Sequence, residues 1–266
     1  MPYSAADVRA RPRILRMLLI GPAKAGKTTA AVRTAPGPVY VFNSDGKGAL
    51  DPVVALGGDF VADDVTSVGS FITALGYLRS HLNDFETVVF DNITGFSDMV
   101  LGEVRAEVGR DDPRVIYPEY SRRLMACINS LLTLPRHLII IGHAEPGEKD
   151  TPGGFGHILA LAGSAKTKIS MIMQDWVWMH VEMGPPGEDG RPKVLRKFLL
   201  APEGNWTKAV RSIQGTTRMD ADVTKFIDLM EQGGPKVTAP KKAVPATSPA
   251  RPPVQRPVNG QKVAPR

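Results

Sequence analysis

The stretch Gly21-Pro22-Ala23-Lys24-Ala25-Gly26-Lys27-Thr28 fits the pattern G-x-x-x-x-G-K-[ST], and Thr29 follows it. Glycines let successive backbone N–H groups converge on an anion, a lysine reaches the β- and γ-phosphates of a polyphosphate, and a threonine hydroxyl is a hard oxygen ligand for Mg²⁺. Three further residues have suitable chemistry, each just after an apolar run. Asp91 follows Thr87 to Phe90, as a carboxylate that would hold Mg²⁺ or its water opposite Thr28; an aspartate there also serves as a helix cap, as would Asn92 or Thr94. Asp45 follows Val39 to Phe42 and has the chemistry of a general base for a water attacking the γ-phosphate, although Asp45-Gly46 also reads as a turn. His143 follows Leu138 to Ile141, either as an imidazole bonded to the γ-phosphate or as an ordinary loop histidine.

Two segments rich in turn residues carry groups suited to single-stranded nucleic acid. Residues 144–157 include Lys149, Phe155 and His157, and residues 109–117 include Arg110, Arg114 and Tyr117 among acids. Cations contact phosphates and aromatic rings stack on bases, so both read as candidate DNA loops, with plain surface loops as the alternative. Lys208 and Arg211 would act in trans on a neighbouring subunit's γ-phosphate, or are solvated surface charge.

The elements needed to position these groups are legible. The run Ile14 to Ile20 predicts a strand before the glycine-rich loop, and Lys27 to Arg33 a helix after it. Val68, Phe71, Ile72, Leu75, Leu78 and Leu82 repeat at three and four, predicting an amphipathic helix capped by Thr66 or Ser67. Helical patterns near 96–108 and 119–133 precede the run Leu138 to Ile141. This βαβ order predicts an α/β fold whose mainly parallel central sheet is flanked by helices on both faces. Trp176 to Val181 and Val194 to Leu200, separated by the turn-rich residues 184–190, predict a C-terminal β-hairpin with a long loop, and a helix is expected near 222–232.

The 266 residues suffice for one substantial core. No run approaches the ~20 apolar residues of a membrane span and residues 1–12 lack a signal-peptide core, so no membrane contact and a cytoplasmic setting are expected. The single cysteine, Cys127, excludes an internal disulfide and falls within a helical pattern. The net charge of +6 is concentrated in the last 32 residues, where seven cations and no acid accompany eight prolines; the remainder of the chain is one unit negative. The expected organisation is an extension over residues 1–12, an ATPase domain over 13–233 and a disordered, basic, proline-rich tail over 234–266.

Taken together, GPAKAGKTT, VYVFNSDGKGALDP, VVFDN and IIIGH resemble the RecA-like core of the P-loop ATPases, and most closely the phage nucleotide-binding proteins that act as RecA-like single-strand annealing recombinases. The resemblance covers residues 13–211. It implies an ATPase using ATP and Mg²⁺, homo-oligomer or filament assembly on single-stranded DNA in the host cytoplasm, a single-stranded DNA-binding protein as a possible partner, and DNA loops after Asp91 and after His143. In that family the carboxylate after the second strand is often glutamate, where Asp45 stands here. A helicase loader or DNA-packaging motor, and a small-molecule or nucleotide kinase, share the phosphate loop and form the alternatives.

Overall fold

The computed structural model describes residues 13–109, 111–146, 157–187, 190–201, 210, 213 and 216–232. In chain order these form β1 (Arg16–Gly21), α1 (Lys27–Arg33), β2 (Val39–Asn43), α2 (Asp51–Ala55), β3 (Phe60–Asp64), α3 (Val68–Ser80), β4 (Thr87–Asp91), α4 (Ile93–Val108), α5 (Pro113–Leu132), β5 (His137–Pro146), β6 (His157–Leu159), α6 (Ala165–Ile172), β7 (Asp175–Pro186), β8 (Pro192–Leu199), β9 (Arg218–Asp220) and α7 (Val223–Glu231). The sheet runs β3-β2-β4-β5-β1-β7-β8-β9, with β6 beside β5. Strands β3 through β7 in that order are mutually parallel, while β8, β9 and β6 are added antiparallel.

The continuous apolar strands follow from burial on both faces. Leu18, Ile20, Tyr40, Phe42, Val88, Phe90, Leu138 and Ile140 face a core closed by α3, α4, α5 and α6. Their alternates Met17, Leu19, Val39, Val41, Val89, Ile139 and Ile141 face a second core closed by α1 and α7. Because side chains alternate across a strand, both sets must be apolar. Arg16 bonds its terminal nitrogens to the backbone: it donates to the carbonyls of Arg136 (2.5 Å), Leu134 (2.6 Å) and Leu132 (3.2 Å), tying β1 to the chain entering β5. Among the described residues no helix is long and apolar enough to cross a membrane.

The structure changes three expectations. Residues 109–117 are not one loop: Asp112 caps α5 through the N–H of Arg114, Pro113 occupies its first turn, and Pro118 is accommodated inside the helix. The stretch after His143 does not leave the sheet at once, since Ala144 to Pro146 pair with His157 to Leu159 as a hairpin. The C-terminal hairpin has a short connection, residues 187–191, and continues the central sheet, with β7 parallel to β1. Ser67 caps α3 as expected, in a reciprocal arrangement with Ser70. Residues 1–12, Arg110, Lys149, Phe155, Lys208, Arg211 and the tail over 234–266 lie outside the described residues.

Candidate functional site

The strand order fixes where a ligand can sit. The carboxyl ends of β1, β2, β4 and β5 open on one crevice, and the loop leaving β1 enters α1 there. Gly26 precedes the first turn of α1 with φ +92, a conformation side chains avoid, and a Cβ at that position would stand 2.5 Å from Nε of Arg196. Gly21 is pressed against β7, where a Cβ would lie 2.9 Å from the Met179 carbonyl. The motif glycines are therefore required by geometry as well as by chemistry. Pro22, Ala23 and Lys24 form the exposed outer bend, with Lys24 at φ +60, and Ala25 is buried beneath them.

Lys27 is buried, and its ammonium donates to the carbonyls of Gly21 (3.1 Å) and Pro22 (2.8 Å). Burial lowers its pKa, against the opposing pull of Asp91 and Asp45. Thr28, in the first turn of α1, donates its hydroxyl proton to Oδ2 of Asp91 at 2.6 Å. Asp91 ends β4 at 1 % exposure, and its carboxyl is pushed up to about 6, chiefly by burial; Asp45 adds to the rise, while Thr28 and Lys27 oppose it. A buried carboxylate is stable only with strong partners, and a hydroxyl plus a nearby ammonium leave it ready for a cation.

Asp45 is exposed at the mouth of the crevice and accepts a bond from Nδ2 of Asn92. That nitrogen also lies 3.4 Å from Nε2 of His143. Asn92 is fixed in turn: its Oδ1 caps α4 through the N–H of Gly95, and Ser44 accepts from its N–H and donates to its carbonyl. The backbone N–H of His143 is held by the Thr94 hydroxyl, and its ring pKa is lowered by burial and by Lys27, against Asp45. Asp45, Asp91, Asn92 and His143 thus form one connected cluster beside Lys27 and Thr28. Asn92 reads locally as a cap; only the strand order reveals that its amide also links Asp45 to His143.

The crevice holds a cavity of about 830 Å³ lined by the loop, Asp45, Asp91 and His143 at one end and by Arg33, Thr34, Ala49, Pro52 and Leu56 at the other. Its remaining wall is Arg196 on β8 with Asp220, Ala221 and Asp222 at the β9–α7 corner, a contribution with no local sequence signal. This size and lining suit a nucleotide: oxygen ligands and cations where phosphates would lie, small and apolar groups where a base would lie. The donor set also fits magnesium, which takes one or two protein oxygens and completes its shell with phosphate and water; Thr28 and Asp91 would hold it. No three-residue cluster of His, Cys, Asp and Glu suited to a metal occurs among the described residues, and a magnesium ion on Thr28 and Asp91 would take its remaining ligands from phosphate and water.

The remaining candidates fall elsewhere. Arg114 and Tyr117 are exposed on the first turns of α5, away from the cavity, with Tyr117 lying over Gly163. His157 begins β6 and packs its ring, tilted, against Trp178 with ring centroids 4.7 Å apart, so it is a partly buried strand residue rather than a loop residue.

No curated protein matches the chain. A family model described as AAA domain matches residues 13–184, well over half of the sequence and the region from the chain entering β1 to the far part of β7. With the phosphate loop and its carboxylate partner in place, the chain belongs to this AAA-domain family of P-loop ATPases.

Proposed function

We propose that this protein hydrolyses Mg²⁺-bound ATP and uses the nucleotide state to control its grip on single-stranded DNA in recombination or strand annealing, assembled as a homo-oligomer or filament. The observation that carries this reading is the continuity of His143 with the β5–β6 hairpin. The residue beside the phosphate cluster accepts the N–H of Ala160 through its carbonyl, and the strand that bears it runs on to pair with His157 to Leu159. A shift of His143 on losing a γ-phosphate would move the base of that hairpin directly. The bond between Asn92 and Asp45 would feel the same event.

In the hydrolytic step, Lys27 turns from the loop carbonyls to the β- and γ-phosphates and offsets their charge. Magnesium, when bound, supplies electrostatic stabilisation of charge on the transferred phosphoryl group. Asp45 orients the attacking water and accepts its proton, and Asn92 holds the carboxylate in place while doing so. Lys208 and Arg211 would complete the site of a neighbouring subunit.

The test is binding of a labelled single-stranded oligonucleotide with ATP, with ADP and without nucleotide, repeated across salt and with Lys27→Ala. Tight, salt-sensitive binding that requires ATP and is lost in the variant is the expected result. Nucleotide turnover with DNA affinity unchanged by nucleotide would favour a loader or motor acting on a protein partner.

A further inference from the structure

We infer that Arg196 is a nucleotide-binding residue acting within its own subunit, its guanidinium contacting the α- and β-phosphates from the flank opposite Asp91, Asp45 and His143. The inference rests on the nucleotide reading of the cavity and adds to it a residue that lies beyond the family match over residues 13–184.

The topology sets the direction of approach. β1 delivers the phosphate loop at the middle of the sheet; β5, β4 and β2 lie to one side of it and bring His143, Asp91 and Asp45, whereas β7 and β8 lie to the other side. Arg196 sits in β8 opposite Val181 of β7, on the face shared by Phe198, whose side chain is buried in the same core as α1. Its side chain therefore rises on the α1 side of the sheet and crosses to the loop. Nε donates to the Ala25 carbonyl at 3.0 Å, and Nε and Cδ occupy the space that a Cβ on Gly26 would need. The residue lines the same cavity as Lys24, Lys27 and Thr28.

One nitrogen is thus spent on holding the side chain, while the two terminal nitrogens make no hydrogen bond or ion pair among the described residues. A guanidinium anchored through Nε with its fork free is pre-organised for two phosphate oxygens. The end of the triphosphate nearest Asp91 is already served by Lys27 and the magnesium ligands, so the free fork is left for the phosphates that ADP and ATP share. The Arg196 carbonyl in turn accepts the N–H of Ala221, which lines the same cavity.

Arg196→Gln separates the two roles, since the glutamine amide nitrogen stands where Nε stands and can keep the Ala25 bond while the fork is lost. Fluorescent-nucleotide titration of the full chain with Mg²⁺ is expected to show ADP and a non-hydrolysable ATP analogue each weakened by about 10-fold, from the loss of a charge-assisted contact. AMP, which offers only the α-phosphate, should be weakened by less than ADP when measured by competition, Arg196→Lys should recover part of the loss, and the melting temperature without nucleotide should stay at the wild-type value. Unchanged ADP affinity in Arg196→Gln, in a protein whose Lys27→Ala variant no longer binds, would overturn the inference and leave the nucleotide reading intact. An equal loss for AMP and ADP accompanied by a lower melting temperature would also overturn it, by making Arg196 a strut for the loop. A wild-type chain that binds no Mg²⁺–nucleotide would overturn the nucleotide reading itself.

Discussion

Asp91 is kept ionisable at a cost that only a ligand can offset. Its folded-state pKa of about 6 lies above the ordinary 3.8, so the folded form disfavours the carboxylate. The sign follows: the penalty is absent below the unfolded value, grows as pH rises from about 4 to 6, and is constant above, where it is of the order of 3 kcal/mol. Asp91→Asn should accordingly raise the melting temperature of the ligand-free protein at pH 8 by a few degrees, the loss of an attractive partner for Lys27 trimming the gain, and should raise it less at pH 5. The same variant should lose magnesium-dependent nucleotide binding and hydrolysis. Paired thermal melts and nucleotide titrations check both halves; a variant less stable at pH 8 contradicts the first. Asn92→Asp isolates the second neighbour. It keeps an oxygen to cap α4 but replaces the donor to Asp45 with a repelling charge. Turnover should fall by 10-fold or more, on the order expected for a misdirected base, with nucleotide affinity within about twofold, as measured by steady-state hydrolysis beside direct binding.

At the scale of elements, the site depends on how β1 is seated beside β5, and a histidine takes part in that seating. His137 accepts the N–H of Leu15 at Nδ1 (3.1 Å), which requires the ring neutral at that nitrogen. Burial lowers its pKa, Glu86 and Glu231 oppose the shift and Arg16 adds to it. A histidine with a depressed folded pKa contributes stability that is complete above its unfolded value near 6.5 and is lost as pH falls toward the folded value. His137→Asn keeps an acceptor and does not titrate, so urea midpoints at pH 7.5 and 5.5 should differ less in the variant than in the wild type. An identical pH dependence would refute the role. Elements with strong periodicity, such as β1, α3, β4 and β5, were legible in the sequence, as was the phosphate loop with Asp91. Those shaped by context were not. β3 is an edge strand, FVADD, too polar and exposed to alternate; α5 hid behind Pro118, which interrupts the helical pattern that Asp112 and Pro113 in fact begin. Arg196 sits in an alternating hairpin strand, and nothing near it in the chain signals that its side chain lies against Gly26.

For the whole molecule, the unit that functions extends past the family match. β8, β9 and α7 follow residue 184, yet Phe198, Val223, Phe226, Ile227 and Met230 are buried in the core that covers α1. α7 is docked on the end of α1 through Thr34, which accepts from the N–H groups of Val223 (2.7 Å) and Thr224 (2.9 Å) and from the Thr224 hydroxyl (2.6 Å). Burying each large apolar side chain is worth roughly 1.5–3 kcal/mol, so the four on α7 together rival the ~5–15 kcal/mol by which a domain is stable. A chain ending at Thr217, which lacks β9 and α7, should therefore fail to unfold cooperatively, and one ending at residue 184 should fail for the further reason that β7 loses its antiparallel partner β8. A chain spanning residues 13–233 retains both cores, Arg196 and the wall formed by Asp220 to Asp222, and should match the full protein in urea midpoint and in Mg²⁺–nucleotide affinity. Cooperative unfolding of the Thr217 truncation at the full-length midpoint would show that α7 covers the core without supporting it, and normal nucleotide binding by that truncation would remove the β9–α7 corner from the site.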